Sequence, residues 1–339
     1  SQYDATSFNK KGNVKYICGT EGKTDIINIL DKEGVNVTEL SDKYCDSFTE
    51  SGFAPLSTRA FVKIQDGCDS FCSYCIIPHL RGRSRSRSPE SIRREILSLS
   101  GSVKEIVLSG INISDYGRDY GGLSGLLEFL SDIDIRIRLG SLENGVIDDK
   151  LILATKKLIN FCPHFHLSLQ SGSDSVLKSM NRHYGAKDFL SSVDIIRKHY
   201  PHAAVTTDII CGFPTETQED FEKTVKVCLD AKFADIHIFS YSKREGTNAA
   251  KLGEIGKDVI YQRVEELKAL KLRLKAEFAR QNLGEIRQLL TETVNQGYTE
   301  GYTENYLKVY VKGGLELNSL FKVRVGEAFK DGAAAVIID

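Results

Sequence analysis

No run of apolar residues in this 339-residue chain approaches the roughly 18 to 20 needed to cross a bilayer. The N-terminal Ser1-Gln2-Tyr3-Asp4 lacks the basic-then-apolar pattern of a secretory signal. A cytoplasmic protein with no membrane partner is therefore expected. Net charge is lacking too: 45 Lys and Arg stand against 46 Asp and Glu, so any nucleic acid must meet a local basic surface, not a basic whole. A disulfide framework is also missing. Of eight cysteines, three crowd between Cys68 and Cys75 and the others scatter at positions 18, 45, 162, 211 and 228, unlike the regular spacing of a small secreted scaffold. The scattered five need no function, because a buried thiol packs as a small apolar group. Internal repeats and low-complexity tracts are absent as well. With 41% apolar and 27% charged residues, the composition is that of a globular protein, and the length predicts one large domain with small attachments.

From about residue 59 to 240, short β-rich runs alternate with helical stretches, the pattern of a parallel sheet built from βα units. The strands are 60–64, 105–108, 135–139, 164–169, 205–210 and 235–239. Helices begin near Pro89, Gly122, Asp148, Ser173 and Thr217, the fourth continuing past Gly185. Six units are two short of a closed eight-stranded barrel, which predicts an α/β fold of the open, partial (β/α)6 kind with its chemistry at the strand C-terminal ends. A long helix over 258–281 follows, with Ile260, Val264, Leu267, Leu270, Leu274 and Phe278 on one stripe. From Leu283 onward, β-branched runs split by glycine read as a small antiparallel β-barrel. In the first 56 residues only Thr24 to Leu30 reads as a helix.

Cys68-x3-Cys72-x2-Cys75 follows the first strand directly, so its loop lies at the barrel mouth. Three thiolates hold three irons of a [4Fe-4S] cluster and leave the fourth iron without a protein ligand. S-adenosylmethionine (SAM) chelates such an open iron, placing its sulfonium where an electron from the cluster splits it. A zinc site wants a fourth Cys or His, for which His79 is the only neighbour, and an electron-transfer cluster wants a fourth Cys. Phe71 and Tyr74 are read as shields of the cluster.

Further polar residues fall at the strand ends where SAM would lie. Gly110 ends the second strand and lets backbone approach the methionine amino group, or is an ordinary strand-to-loop glycine. Ser141 and Glu143 close the third and are read as holding the ribose or the methionine end. Gln170 and Ser171 end the fourth and face the mouth, with Ser173 as a helix cap. Asp208 lies in the fifth, followed by Gly212-Phe213-Pro214, a turn suited to packing on adenine.

Taken as a set, these residues resemble the radical-SAM methylthiotransferases. The matching runs are Lys63 to Cys68 through Cys75-Ile76-Ile77-Pro78, Arg81-Gly82 with Ser86-Arg87, Gly110 to Gly117, Leu169 to Ser173, Met180-Asn181-Arg182, Thr207 to Ile210 with Gly212-Phe213-Pro214, and Tyr241 to Thr247. The resemblance implies a radical-SAM core over 57–282, cofactor-binding roles for Tyr74 and Arg182, and a TRAM-like RNA-binding barrel over 283–339. It further implies a tRNA substrate and a reductant such as flavodoxin or ferredoxin. The Ile76-Ile77-Pro78 context and the run Phe239 to Arg244 look most like the branch that places a methylthio group on C2 of N6-threonylcarbamoyladenosine, beside the anticodon. In that chemistry a 5′-deoxyadenosyl radical removes hydrogen from C2, a methylthio group on a second [4Fe-4S] cluster replaces it, and a second SAM supplies the methyl. The family holds that cluster on three cysteines of an N-terminal domain. This chain begins at Ser1-Gln2, so residues 1–56 are read as the remnant of that domain and a linker, with Cys18 and Cys45 structural and sulfur transfer by this chain left open.

Between His79 and Arg94 stand six Arg and one Glu. In extended chain Arg81, Arg83, Arg85 and Arg87 project to one side and track phosphates, or else they brace the barrel through carboxylates. Arg244 is a further RNA candidate. Tyr298, Tyr302, Tyr306 and Tyr310, interleaved with Lys308 and Lys312, are read as an RNA surface or as core packing of the small barrel. Three other functions stay open: methylthiolation of isopentenyladenosine in tRNA, of a ribosomal-protein aspartate, and a non-enzymatic RNA-binding module with a structural cluster.

Overall fold

Alternation along the central strands decides the architecture. On β6 (Glu105–Ser109), β7 (Arg136–Leu139), β10 (His164–Gln170) and β11 (Ala204–Cys211), one face carries Ile106, Leu108, Ile137, Leu139, Phe165, Leu167, Val205 and Ile209. These pack into the main core against the surrounding helices. The other face carries Glu105, Arg136, Arg138, His164, His166, Thr206 and Asp208. Parallel strands buried on both faces normally read as continuous apolar runs. Polar alternation here marks a polar lumen.

In this computed structural model the described residues are 58–338, with 14–20, 26–29, 32–37 and single positions 5, 8, 40 and 41 before them. The early stretches form a parallel pair, β1 (Tyr16–Cys18) with β2 (Gly34–Asn36), and the helix Ile26–Ile29. Ser1, Gln2, Cys45 and the ends of the expected helix at Thr24 and Leu30 lie outside the described residues.

Two parallel sheets build the main body. One has the order β3 (Arg59–Lys63), β6, β7 and β9 (Asn160–Phe161); the other has β12 (Asp235–Ser240), β11, β10 and β8 (Ser141–Leu142). Gly140 separates β7 from β8, and Cys162-Pro163 separates β9 from β10, so the third and fourth strands each serve both sheets. The result is six successive parallel strands, an open (β/α)6 barrel with β3 and β12 at its edges. Phe61 and Phe239, on those two edges, are 69% and 52% exposed. A short antiparallel pairing of β4 (Gln65–Asp66) with β5 (Arg85–Ser86) closes the base of the cysteine loop.

The helices start where caps place them. Ser88 accepts from the Ser91 amide ahead of Pro89–Leu99, Asp148 from Leu151 ahead of Asp149–Thr155, and Thr217 forms a capping box with Asp220 ahead of Gln218–Ala231. The expected continuous helix past Gly185 is instead two, Asp174–Ser179 and Ala186–His199. Asn181, in left-handed backbone, breaks it.

Helix Lys257–Gln281 carries Leu267, Leu270 and Leu274 into the main core and Phe278 into a second core with Leu289, Val309 and Val323. That second core fills a closed five-stranded barrel of β13 (Ile286–Asn295), β14 (Tyr298–Thr303), β15 (Lys308–Lys312), β17 (Gly332–Ile337) and β16 (Leu320–Phe329). It differs from the antiparallel expectation in one pairing: β15 and β17 run parallel. The β14–β15 turn plugs the base of the main barrel. There Tyr306 stacks on His164 at 4.1 Å and Asn305 donates to the His202 carbonyl at 2.8 Å.

Candidate active site

The cysteine loop leaves the first strand through a backbone that only glycine allows. Gly67 has φ +74°, and a Cβ there would sit 1.9 Å from the Arg83 carbonyl oxygen. Gln65, fully buried, donates to the Gly67 carbonyl at 2.8 Å and to Ser84 Oγ at 2.9 Å while accepting from the Asn112 amide at 2.8 Å. Thus one amide side chain ties the loop to the end of β6. Sequence reasoning passed over Gln65, whose signal was only its place beside Cys68.

The far side of the loop is held by the break between the two helices. Ser73 donates from its amide to the Met180 carbonyl at 2.9 Å and from its hydroxyl to the Ser179 carbonyl at 2.7 Å. Asn181 Nδ2 donates to the Phe71 carbonyl at 3.0 Å. Arg182 completes the clamp: it donates to Cys72 Sγ at 3.2 Å, to Glu143 Oε1 at 2.9 Å and to the Ser168 carbonyl at 3.0 Å.

Cys68, Cys72 and Cys75 are free thiols. Burial pushes the Cys72 and Cys75 thiols up; Arg182 pulls Cys72 back down against Glu143 and Cys68, while Cys72 and Cys68 push Cys75 further up. Together the three thiols are a soft donor set, and Cys72 lines a cleft of about 340 Å³ with Asn112, Asp115, Glu143 and Arg182. Burial raises the Glu143 carboxyl, and the guanidinium of Arg182, 2.7 Å away, opposes that. Half-buried Tyr74 meets Phe213 edge-on at 6.5 Å, and burial raises its hydroxyl strongly. Phe71 is 40% exposed, under the Arg83 guanidinium.

The structure thus gathers Cys68, Cys72, Cys75, Glu143, Arg182 and Tyr74, and disposes the other expected residues differently. A Cβ on Gly110 would meet the Gln65 carbonyl oxygen at 2.9 Å, so packing against Gln65 accounts for this glycine. Ser141 is exposed at the start of β8. Gln170 is left-handed with φ +68° and nearly buried. Ser171 faces away from the mouth, its hydroxyl 3.4 Å from Thr224 on helix Gln218–Ala231, and Ser173 Oγ donates to Asp220 at 2.6 Å without capping its own helix. Phe213 is fully buried between Tyr74 and Tyr241, so its ring supports the site from behind. Asp208 is held by two histidines, His166 at 3.1 Å and His237 at 3.2 Å.

The four arginines do not share a face. Arg85 reaches the Ser41 and Arg81 carbonyls and Asp66, and Arg87 pairs with Glu95 and Ser91; both are buried and unavailable to phosphate. Arg81 lies 3.8 Å from Asp66, Arg83 is exposed beside Asp69, and Arg244 is exposed. In the terminal barrel Tyr302 and Tyr306 stack at 4.8 Å and turn toward Arg59 and Arg138 of the main barrel. Tyr310 is buried, while Tyr298 packs on Phe329.

An open parallel barrel with a three-cysteine loop after its first strand is the architecture of a radical SAM protein. Residues 62–228 match the model of the Radical SAM superfamily. The chain is 39% identical over 289 residues to the threonylcarbamoyladenosine tRNA methylthiotransferase MtaB of Chlamydia pneumoniae, covering 83% of this chain and 68% of that protein. It is 40% identical over 240 residues to the tRNA-2-methylthio-N(6)-dimethylallyladenosine synthase of Caldicellulosiruptor saccharolyticus, covering 69% and 51%. Among solved structures, coproporphyrinogen III oxidase (HemN) of Escherichia coli superposes with TM-score 0.50 at 13% identity over 77% of this chain and 70% of that one, a likeness of fold. The chain belongs to the radical-SAM methylthiotransferase family, a family of enzymes whose cofactors are a [4Fe-4S] cluster and SAM. It spans about two thirds of the MtaB relative and about half of the dimethylallyladenosine synthases. Among the described residues no helix is long and apolar enough to cross a membrane.

Proposed function

We propose that this chain carries the SAM-cleaving centre of a tRNA methylthiotransferase that modifies C2 of N6-threonylcarbamoyladenosine. One observation carries the reading: three free thiols share a strand-end loop, and Cys72 among them lines a cleft with Arg182 and Glu143. Cys68, Cys72 and Cys75 would hold a [4Fe-4S] cluster, and that cluster would supply the one-electron reduction that cleaves the sulfonium of SAM.

The surrounding residues bind and orient. Arg182 places a fixed cation beside Cys72 and opposes the charge that accumulates on a thiolate cluster. With Glu143 it presents an adjacent cation and anion, suited to the carboxylate and ammonium of a bound amino acid. Tyr74 and Phe213 exclude water from the flank of the loop. The MtaB relative spans 83% of this chain and the dimethylallyladenosine synthase 69%, which supports the threonylcarbamoyl substrate. Methylthiolation of dimethylallyladenosine is the second reading, favoured by similar identity to those synthases. The terminal barrel and exposed Arg83 and Arg244 are the proposed RNA contacts, and a flavodoxin or ferredoxin is the proposed reductant.

Anaerobic reconstitution followed by reduction with dithionite in the presence of SAM tests the centre. Wild type is expected to yield 5′-deoxyadenosine and Cys72→Ala none; a stable cluster that never cleaves SAM refutes the enzymatic reading. Mass spectrometry of tRNA nucleosides from cells complemented with the gene separates the two substrates by which 2-methylthio product returns.

A further inference from the structure

Away from the cysteine loop, the inner face of the second sheet brings together a different donor set. His166 on β10, Asp208 on β11 and His237 on β12 stand on three adjacent parallel strands, with Asp208 and His237 directly opposite in register. His166 Nε2 lies 3.1 Å from Asp208 Oδ2, and His237 Nδ1 lies 3.2 Å from Asp208 Oδ1. One ligand atom from each falls within 4.8 Å of the others, and among the described residues only this trio of His, Cys, Asp and Glu side chains gathers so tightly. The two imidazole rings stack at 5.1 Å.

We propose that His166, Asp208 and His237 form a mononuclear site for a divalent transition-metal ion, zinc or ferrous iron. Two imidazoles and a carboxylate are the borderline donors those ions prefer, and a three-ligand set leaves coordination positions for water or a ligand group. Strand backbones fix the spacing, so no loop must close to assemble it. His166 is oriented from behind: its Nδ1 lies 2.9 Å from Thr206 Oγ1, which is itself 2.8 Å from Nε2 of buried His164. A hydrogen-bond acceptor on the non-ligating nitrogen is how metal-bound imidazoles are commonly held in register, and the Thr206 hydroxyl oxygen stands in that place. An approach path exists as well. His237 is half-exposed and borders a cleft of about 190 Å³ between the main and terminal barrels. Asp235, on the same cleft, is already neutralised by Lys271 at 2.9 Å and Lys275 at 3.4 Å, so it does not compete for the ion.

The site is separate from the cysteine loop, and its test does not depend on SAM cleavage. Full-length protein with its cluster reconstituted is titrated anaerobically with zinc chloride, and crystals soaked in the same salt are measured on both sides of the zinc absorption edge. The expected result is one anomalous peak about 2.0–2.2 Å from His166 Nε2, an Asp208 oxygen and His237 Nδ1. His237→Gln, a change at a half-exposed edge position, should remove the peak with cluster content unchanged. Thr206→Val should weaken binding about tenfold while keeping the peak, the signature of a positioning residue. Absence of a peak in wild type at saturating zinc overturns the proposal. So does a peak that His237→Gln leaves in place with the same affinity, or binding so weak that only an adventitious ion remains.

Discussion

The mouth and the base of the main barrel treat charge in opposite ways. At the base, Glu105 is fully buried and receives Arg59 at 2.6 Å and Arg138 at 2.7 Å, with Arg136 at 3.2 Å; Arg59 also pairs with Glu292 of the terminal barrel. Tyr306 stacks beneath Arg138, and Glu105, Arg136 and Arg138 are all buried. At the mouth, Arg182 and Glu143 line an open cleft with Cys72 of the cysteine loop. Buried charge must be balanced by the chain itself. Charge facing a cleft is left available for a ligand, and that contrast separates a device for joining domains from one for chemistry.

Four experiments sharpen or break the contrast. The largest effect is expected for Cys72→Ala, which should bring SAM cleavage below detection while the thermal midpoint in the absence of a cluster stays near that of wild type. Next is Glu105→Gln, which leaves the buried guanidiniums of Arg136 and Arg138 without their carboxylate and should cost about 3–5 kcal/mol in urea unfolding. The same carboxylate predicts a pH dependence. Burial alone would raise the Glu105 carboxyl, but Arg138, Arg136 and Arg59 outweigh it and hold it at about 2, below its ordinary 4.5. A depressed value means the stabilisation is complete above the ordinary value and lost as pH falls from about 4.5 through about 2. Unfolding between pH 5 and 2.5 should therefore be flatter in Glu105→Gln than in wild type; equal slopes would mean the cluster is not coupled to folding.

A smaller effect is expected for Arg182→Lys, which keeps the charge but loses the planar fork that joins Cys72, Glu143 and the Ser168 carbonyl. The rate of 5′-deoxyadenosine formation should fall about 10–100-fold with iron content retained. A wild-type rate would show that any cation suffices at the mouth. Smallest is Tyr306→Ala, which removes the His164 stack at the base. It should cost about 2 kcal/mol by calorimetry and leave SAM cleavage unchanged. If cleavage also falls, the base is not merely a joint.

Much of this was legible in the chain. The six strands and the cysteine loop are set by period-two apolar patterning and by a spacing of seven residues, both local signals. Legibility failed where an outcome rests on register between distant strands. Arg85 and Arg87 alternate as an exposed basic strip would, yet the β4–β5 pairing turns both inward to Asp66 and Glu95. Ser171 reads as a mouth residue, but left-handed Gln170 before it turns the chain toward Thr224. Tyr302 and Tyr306 look like an RNA surface until the hairpin docks on His164. His166, Asp208 and His237 lie on separate strands, and only parallel pairing brings them together. The helix break that delivers Arg182 had a signal in Asn181, a residue that tolerates left-handed backbone, which the apolar pattern on either side concealed.

The clamp of Ser179 to Arg182 on the cysteine loop bears on the order in which the protein matures. Contacts such as Ser73 to Ser179 and Arg182 to Cys72 span more than a hundred residues of chain. Bringing such distant segments together carries a closure entropy that local contacts do not repay. A nascent chain that has emerged only through its second strand already displays all three cysteines, but without the clamp that fixes their loop. The loop is therefore fixed only once the fourth βα unit has folded against it.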